Sequence, residues 1–214
     1  MADDARLDAG LAALDLALSP GVRRGLLDYL ILLEKWNRAY NLTAVRDRSE
    51  MVARHLLDSL SIVRYIKAPR IIDVGSGAGL PGIPLALALP ACRFVLLDSN
   101  RKKTRFLTQA VAELRLGNVT VECRRAEEYR PGEGFDTVVT RAFASLAEIV
   151  TAAGHLCRSD GCLLAMKGRY PEEELAALPP SFRLLAVEPL RVPGLGAERY
   201  LIRLVHAGPA LDPQ

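Results

Sequence analysis

Ile71-Ile72-Asp73-Val74-Gly75-Ser76-Gly77-Ala78-Gly79-Leu80-Pro81-Gly82-Ile83 sets one carboxylate in an apolar strand, then a glycine-rich turn, then a proline-marked helix start. Glycines in such a turn take conformations closed to other residues and bring bare N–H groups up to a nucleoside. The spacing separates ligand classes. A dinucleotide fingerprint needs glycine at its first, third and sixth positions, and the sixth here is Leu80. A phosphate-cradling P-loop needs Gly-Lys followed by Ser or Thr, and this stretch has no lysine. What remains is Asp-x-Gly-x-Gly-x-Gly from Asp73 to Gly79, with Asp73, Gly75 and Gly77 as candidate ligand contacts. A second acid, in Asp98-Ser99, ends the apolar run Phe94–Leu97, where a carboxylate can accept both hydroxyls of a ribose. Its alternative role is the N-cap of a helix starting near Arg101.

Positioning these groups requires an open α/β sheet with its strand ends gathered at one edge. Hydrophobic patterning predicts strands at 70–74, 93–97, 119–123, 135–140 and 161–167, and helices at 81–89, 101–116 and 144–157. Such alternation implies a parallel sheet with right-handed crossovers. A short acidic helix near 171–177 and strands near 183–188 and 199–205 follow, the last two as an antiparallel pair. Residues 1–67 read as helical. Leu26, Leu27, Leu30, Leu33 and Trp36 form one stripe behind Ser19-Pro20, and Met51 to Val63 form another with Ser49 as its cap. A turn is expected over Asn37–Thr43. The predicted organisation is a helical extension (1–67) packed on a core domain (68–207), then a tail (208–214).

The loop resembles the nucleotide-binding loop of class I S-adenosylmethionine-dependent methyltransferases. The resemblance implies a Rossmann-like, mostly parallel seven-stranded sheet, with S-adenosylmethionine as methyl donor and no metal. In that fold Arg124-Arg125-Ala126-Glu127-Glu128 follows the third strand, beside the adenine, which selects Ala126 and Glu127; a solvated acidic turn is the alternative. The fourth strand ends in Thr140-Arg141-Ala142-Phe143, not the Asn/Asp-Pro-Pro-aromatic turn typical of exocyclic-amine methylation. No cysteine follows a proline, as pyrimidine-carbon methylation typically needs. Arg141 also stands where ribose 2′-O-methyltransferases often place an aspartate. These features favour a nucleophile that needs no deprotonation, such as guanine N7, with catalysis by proximity and in-line alignment. Arg141 itself has four candidate roles: the methionine carboxylate, guanine O6 or N7, a phosphate, or an ion pair with a nearby acid.

Composition sets the outer bounds. The 214 residues are half hydrophobic and a quarter charged, with a net charge of +3, which permits nucleic acid binding without demanding it. Arg101-Lys102-Lys103 opens a predicted helix against its dipole, and Arg46, Arg48, Arg54, Arg64, Lys167 and Arg169 add to a basic rim. An aromatic content of 6% argues against an extended base-stacking platform. Cys92, Cys123, Cys157 and Cys162 form no C-x-x-C pair and read as buried free thiols. His55, His155 and His206 lie too far apart to suggest zinc. An acidic N-terminus and the lack of a membrane-length apolar run point to the cytoplasm.

Four motifs in order resemble the ribosomal RNA small-subunit methyltransferase G family, also called glucose-inhibited division protein B. They are Trp36-Asn37-Arg38-Ala39-Tyr40-Asn41-Leu42-Thr43, Arg54-His55-Leu56-Leu57-Asp58-Ser59, the Asp73–Pro84 loop, and Arg141-Ala142-Phe143-Ala144-Ser145. The resemblance covers roughly 20–205. It implies methyl transfer to N7 of one guanosine in 16S ribosomal RNA, in the small subunit or its precursor, by a monomer. By family pattern, Gly75, Leu80, Asp98, Ser99, Ala126, Glu127 and Arg141 contact the cofactor. Asn41, His55 and Asp58 fall on the target-base side, although His55 pairing with Asp58 one turn on would be a purely structural alternative. Rival expectations are a small-molecule methyltransferase and a non-catalytic binder of ribosomes or a cell-division partner.

Overall fold

Seven strands form one sheet: β1 (Arg70–Val74), β2 (Arg93–Leu97), β3 (Val119–Glu122), β4 (Phe135–Arg141), β5 (Cys157–Lys167), β6 (Phe182–Pro189) and β7 (Tyr200–His206). The computed structural model describes residues 2–141 and 144–208; Ala142, Phe143 and the tail from 209 lie outside it. The order is β3-β2-β1-β4-β5-β7-β6. Strands β3, β2, β1, β4 and β5 run parallel, and β7 pairs antiparallel with both β5 and β6. This is the Rossmann-like sheet expected of a class I methyltransferase, closed by its antiparallel pair. The carboxyl ends of β1, β2, β4 and β5 therefore share one edge with the start of β7.

Helices α1 (Ala2–Ala13) and α2 (Pro20–Tyr40) lead the chain. Ser19 caps α2 by accepting from Val22 N at 3.3 Å, and Pro20 supplies a first-turn residue whose missing N–H costs nothing there. The helix runs through Tyr40, so Asn37–Tyr40 are helical rather than a turn. The chain reverses at Asn41, which sits in the left-handed region at φ 50°, a conformation asparagine tolerates. Next come α3 (Arg48–Met51), a π-helical turn (Val52–Leu57) and α4 (Asp58–Leu60). Asp47, not Ser49, caps α3, because Ser49 already lies in its first turn and donates its N–H to Asp47 Oδ1 at 2.8 Å.

The crossover helices are α5 (Gly82–Ala88), α6 (Arg101–Glu113) and α7 (Leu146–Ala153), with α8 (Glu172–Ala176) after β5. Strand β5 starts four residues earlier than its apolar run suggests. Polar Arg158-Ser159-Asp160 belong to a β4–β5 register shift between Phe135 and Thr137, where bulging side chains hide the strand pattern. One apolar cluster joins Leu7, Leu30 and Leu56 of the N-terminal helices to Ile83, Leu96 and Phe106 of the sheet layer. A second, around Ile72, Val138 and Leu163, fills the opposite face beneath α7. Cys92, Cys157 and Cys162 are buried, whereas Cys123 is exposed because it leaves the edge strand β3 into solvent. Among the described residues, no helix is long and apolar enough to cross a membrane.

Candidate active site

The turn after β1 bends back over the end of β2. Gly75, Gly77 and Gly79 hold φ values of 71°, 58° and 85°, which a side chain would strain. Gly75 N and Ser76 N donate to the Leu97 carbonyl at 2.8 and 3.1 Å. Asp98 clamps the turn from β2: its Oδ2 accepts from Gly77 N at 2.9 Å, and its Oδ1 from Asn100 N at 2.8 Å. The helix cap is Asn100, which accepts from Lys102 N and Lys103 N, so Asp98 is not the N-cap. With the 3-10 turn Ala126–Glu128 these residues wall a cleft of about 400 Å³. Gly75, Asp98, Ser99, Ala126 and Glu127 all line it, as do Asn100, Lys103, Arg124 and Arg125, which the sequence did not single out for this cleft. Leu80 does not line it. Its side chain is buried in the cluster shared with the N-terminal helices.

Asp73 lies fully buried beneath the turn. Its Oδ2 accepts from Gly82 N at 2.9 Å, and a Cβ on Gly82 would stand 2.6 Å from that oxygen. Its Oδ1 has no hydrogen-bond partner among the described residues. Burial pushes its carboxyl up to about 7, against the Gly82 hydrogen bond and the charge of Arg141. Tyr29 of α2 donates its hydroxyl to the Ala78 carbonyl at 2.7 Å, so the N-terminal helices hold the turn from above. Neither Tyr29 nor its contact carries a local sequence signal.

At the end of β4 the Arg141 guanidinium donates from Nη1 to Asp58 Oδ2 at 2.9 Å and to the Arg54 carbonyl at 3.1 Å. Asp58, fully buried, also accepts from Arg199 Nε at 3.0 Å. The ion pair with an acid is therefore the role of Arg141 that the structure displays. The His55 imidazole does not pair with the Asp58 carboxylate; the two residues are linked only through the Asp58 N–H, which donates to the His55 carbonyl. His55 Nε2 meets Thr43 Oγ1 at 3.1 Å and its buried Nδ1 has no partner among the described residues. Burial, then the nearby Arg141 charge, push the imidazole down to about 4, so it is neutral at pH 7. Asn41 Oδ1 accepts from Arg46, and Asn37 Oδ1 accepts from Thr43 N at 2.9 Å. Asn37, Thr43 and His55 thus form one polar chain. Arg199, 141 residues from Asp58, leaves no trace in local sequence. Asn37 does: it is a polar residue on the apolar stripe of α2.

Much of the basic rim is neutralised. Arg48 pairs with Asp3 and Glu34, Arg54 with Glu50, and Lys167 with Glu174. The left-handed glycines, the two carboxylates and the adjoining 3-10 turn together suit a ligand with a nucleoside and a cationic tail: a turn without side chains at its glycines, an acid clamped at the cleft wall, and a buried carboxylate oxygen without a partner among the described residues.

A model of the family described as rRNA small subunit methyltransferase G matches residues 23–202. The ribosomal RNA small subunit methyltransferase G of Nitrosococcus oceani is 56% identical over 198 residues, 92% of each chain. That of Pseudomonas aeruginosa is 54% identical over 199 residues, covering 92% of this chain and 93% of its own. Among solved structures, the glycopeptide N-methyltransferase MtfA complexed with S-adenosyl-L-homocysteine aligns with a TM-score of 0.60 at 12% identity, over 72% of this chain and 87% of its own. The O-methyltransferase TomG of Streptomyces achromogenes, in complex with SAM, gives 0.57 at 18% identity, over 85% and 90%. At these identities the two structures establish the shared fold.

Proposed function

This chain belongs to the rRNA small subunit methyltransferase G family, and from that premise we propose that it methylates N7 of one guanosine in 16S rRNA, in the small subunit or its precursor. S-adenosylmethionine is the donor, supplying an electrophilic methyl group. Gly75, Asp98 and Ser99 hold its ribose, Gly77 fixes the Asp98 carboxylate through its N–H, Ala126 and Glu127 meet its base edge, and Asp73 supports the turn beneath. Leu80 acts from behind the cleft by packing the turn onto the N-terminal helices. The site lies in the cytoplasm, where its RNA is made.

The observation that carries the N7 assignment is the commitment of the groups near β4. Both oxygens of Asp58 are taken up by arginines, and burial pushes the His55 imidazole down to about 4, which makes it a weak base, so neither is suited to take a proton. Guanine N7 offers an in-plane lone pair with no proton to remove. Positioning then dominates. Arg141 spends Nη1 on Asp58 and Arg54, and its Nε and Nη2 make no bond among the described residues, which suits it to the acceptors of the guanine. Asn41 and His55 shape the base side through the Thr43 loop.

The test is methyl transfer from labelled cofactor to small subunits of a strain lacking this enzyme, with mass mapping of the product. Label on N7 of one guanosine is expected. Label on another atom overturns the N7 assignment, and absence of label overturns the RNA assignment.

A further inference from the structure

Tyr170 follows the carboxyl end of β5 and is 51% exposed, one of four exposed large apolar side chains among the described residues. The other three, Ile31, Leu184 and Leu185, are aliphatic and lie on α2 and β6. The Tyr170 ring meets that of Tyr200 at 5.7 Å and 87°, so Tyr200 covers at most one of its faces. Its backbone is anchored on both sides. Lys167 pairs with Tyr200 across β5–β7 and donates from Nζ to the Ala144 carbonyl and to Glu174, both at 2.7 Å, while Pro171 is buried.

The chain just before Tyr170 passes the site. Gly168 lies close enough to Arg199 that an added Cβ would stand 3.6 Å from its Nη1. Arg199 binds Asp58, which binds Arg141. Next to Tyr170, Arg169 is exposed and makes no ion pair among the described residues, unlike Arg48, Arg54 and Lys167 on the same rim. A rigidly mounted aromatic face beside an unpaired guanidinium matches the chemistry of a single-stranded nucleotide, with a base to stack and a phosphate to neutralise.

We propose that Tyr170 is the stacking platform for an unpaired base flanking the target guanosine, with Arg169 on the adjoining phosphate. The inference rests on the RNA assignment of the preceding subsection. It names a single platform, consistent with a chain too poor in aromatics for an extended one.

The experiment measures methyl transfer to unmethylated small subunits by wild type, Tyr170→Ala, Tyr170→Leu and Tyr170→Phe. Loss of stacking is expected to raise KM for the subunit about tenfold in the Ala and Leu variants. Phe stays within about twofold of wild type on the same scale. KM for the cofactor and kcat stay unchanged, because Tyr170 does not line the cofactor cleft. A wild-type KM in Tyr170→Ala overturns the proposal, as does Leu performing like Phe, which would mark Tyr170 as apolar packing for Tyr200. A wild-type enzyme that labels no RNA overturns the preceding assignment and this one with it; an active wild type indifferent to Tyr170→Ala overturns this one alone.

Discussion

Asp58 carries one negative charge between two guanidinium groups, in a place where water contributes little. Removing one arginine leaves the carboxylate paired with the other; removing the carboxylate leaves two partly buried cations facing each other. Breaking a buried pair from its shared side typically costs about 3–5 kcal/mol. Asp58→Asn is therefore expected to lower unfolding stability by about 3 kcal/mol, and Arg141→Ala by about half that, in urea melts. Methyl transfer should order them the other way, with Arg141→Ala losing most activity because it removes the group proposed to meet the guanine. Equal stability losses would show that Arg199 does not hold Asp58. His55 adds a pH dependence. Its imidazole titrates near 4 in the fold and near 6.5 in the unfolded chain, so below 6.5 the unfolded state binds the extra proton. Stability should fall by about 2 kcal/mol between pH 7 and pH 5 and stop falling on this account below about 4. His55→Gln should flatten that part of the acid limb, which chemical denaturation at the two pH values will read.

The π-helical turn Val52–Leu57 explains how Asp58 comes to face β4. In it the Asp58 N–H reaches the Ala53 carbonyl five residues back, widening the helix by about one residue per turn. The wide turn also leaves the Arg54 carbonyl available to Arg141. Arg54→Ala removes an exposed pair with Glu50 and should change stability by less than about 0.5 kcal/mol. Deleting Arg54 instead returns the segment to α-helical register and rotates His55 and Asp58 out of line. We expect that deletion to cost several-fold more stability and nearly all activity; a deletion variant as active as Arg54→Ala would show that the wide turn is incidental. This device was invisible in the sequence, since a π-turn has no composition of its own and Met51 to Val63 reads as an ordinary amphipathic helix. The parallel strands were legible because each carries a bounded apolar run, and the cleft at the ends of β1 and β2 because Asp73–Gly79 and Asp98 are local patterns. What sequence could not supply were pairings across long separations: Tyr29 with Ala78, Arg199 with Asp58. For Asp98 it left two roles open, and one neighbour, Asn100, took the cap.

At the scale of the molecule, the N-terminal helices and the cofactor turn share one apolar cluster, in which Leu26, Leu30 and Leu33 pack with Ala78, Leu80 and Ile83. The Tyr29 hydroxyl adds a buried hydrogen bond to Ala78 inside the turn itself. A ligand that orders the turn must therefore stabilise the helices above it, although no residue of α1 or α2 lines the cleft. S-adenosylhomocysteine at about 100 times its Kd should raise unfolding stability by about 2.7 kcal/mol, about 5–10 °C in Tm for a chain of this size. The whole transition should move as one, with amide exchange slowing in α2 as well as in the Asp73–Gly82 turn. Tyr29→Phe tests the connection. It leaves the Ala78 carbonyl buried without its donor and should cost about 1–3 kcal/mol of stability. Because the loosened turn must also be ordered on binding, cofactor Kd should rise several-fold although the substituted atom is outside the cleft. If S-adenosylhomocysteine slows exchange in the turn but not in α2, and Tyr29→Phe binds it as tightly as wild type, then the helical extension and the cleft are energetically independent despite their common core.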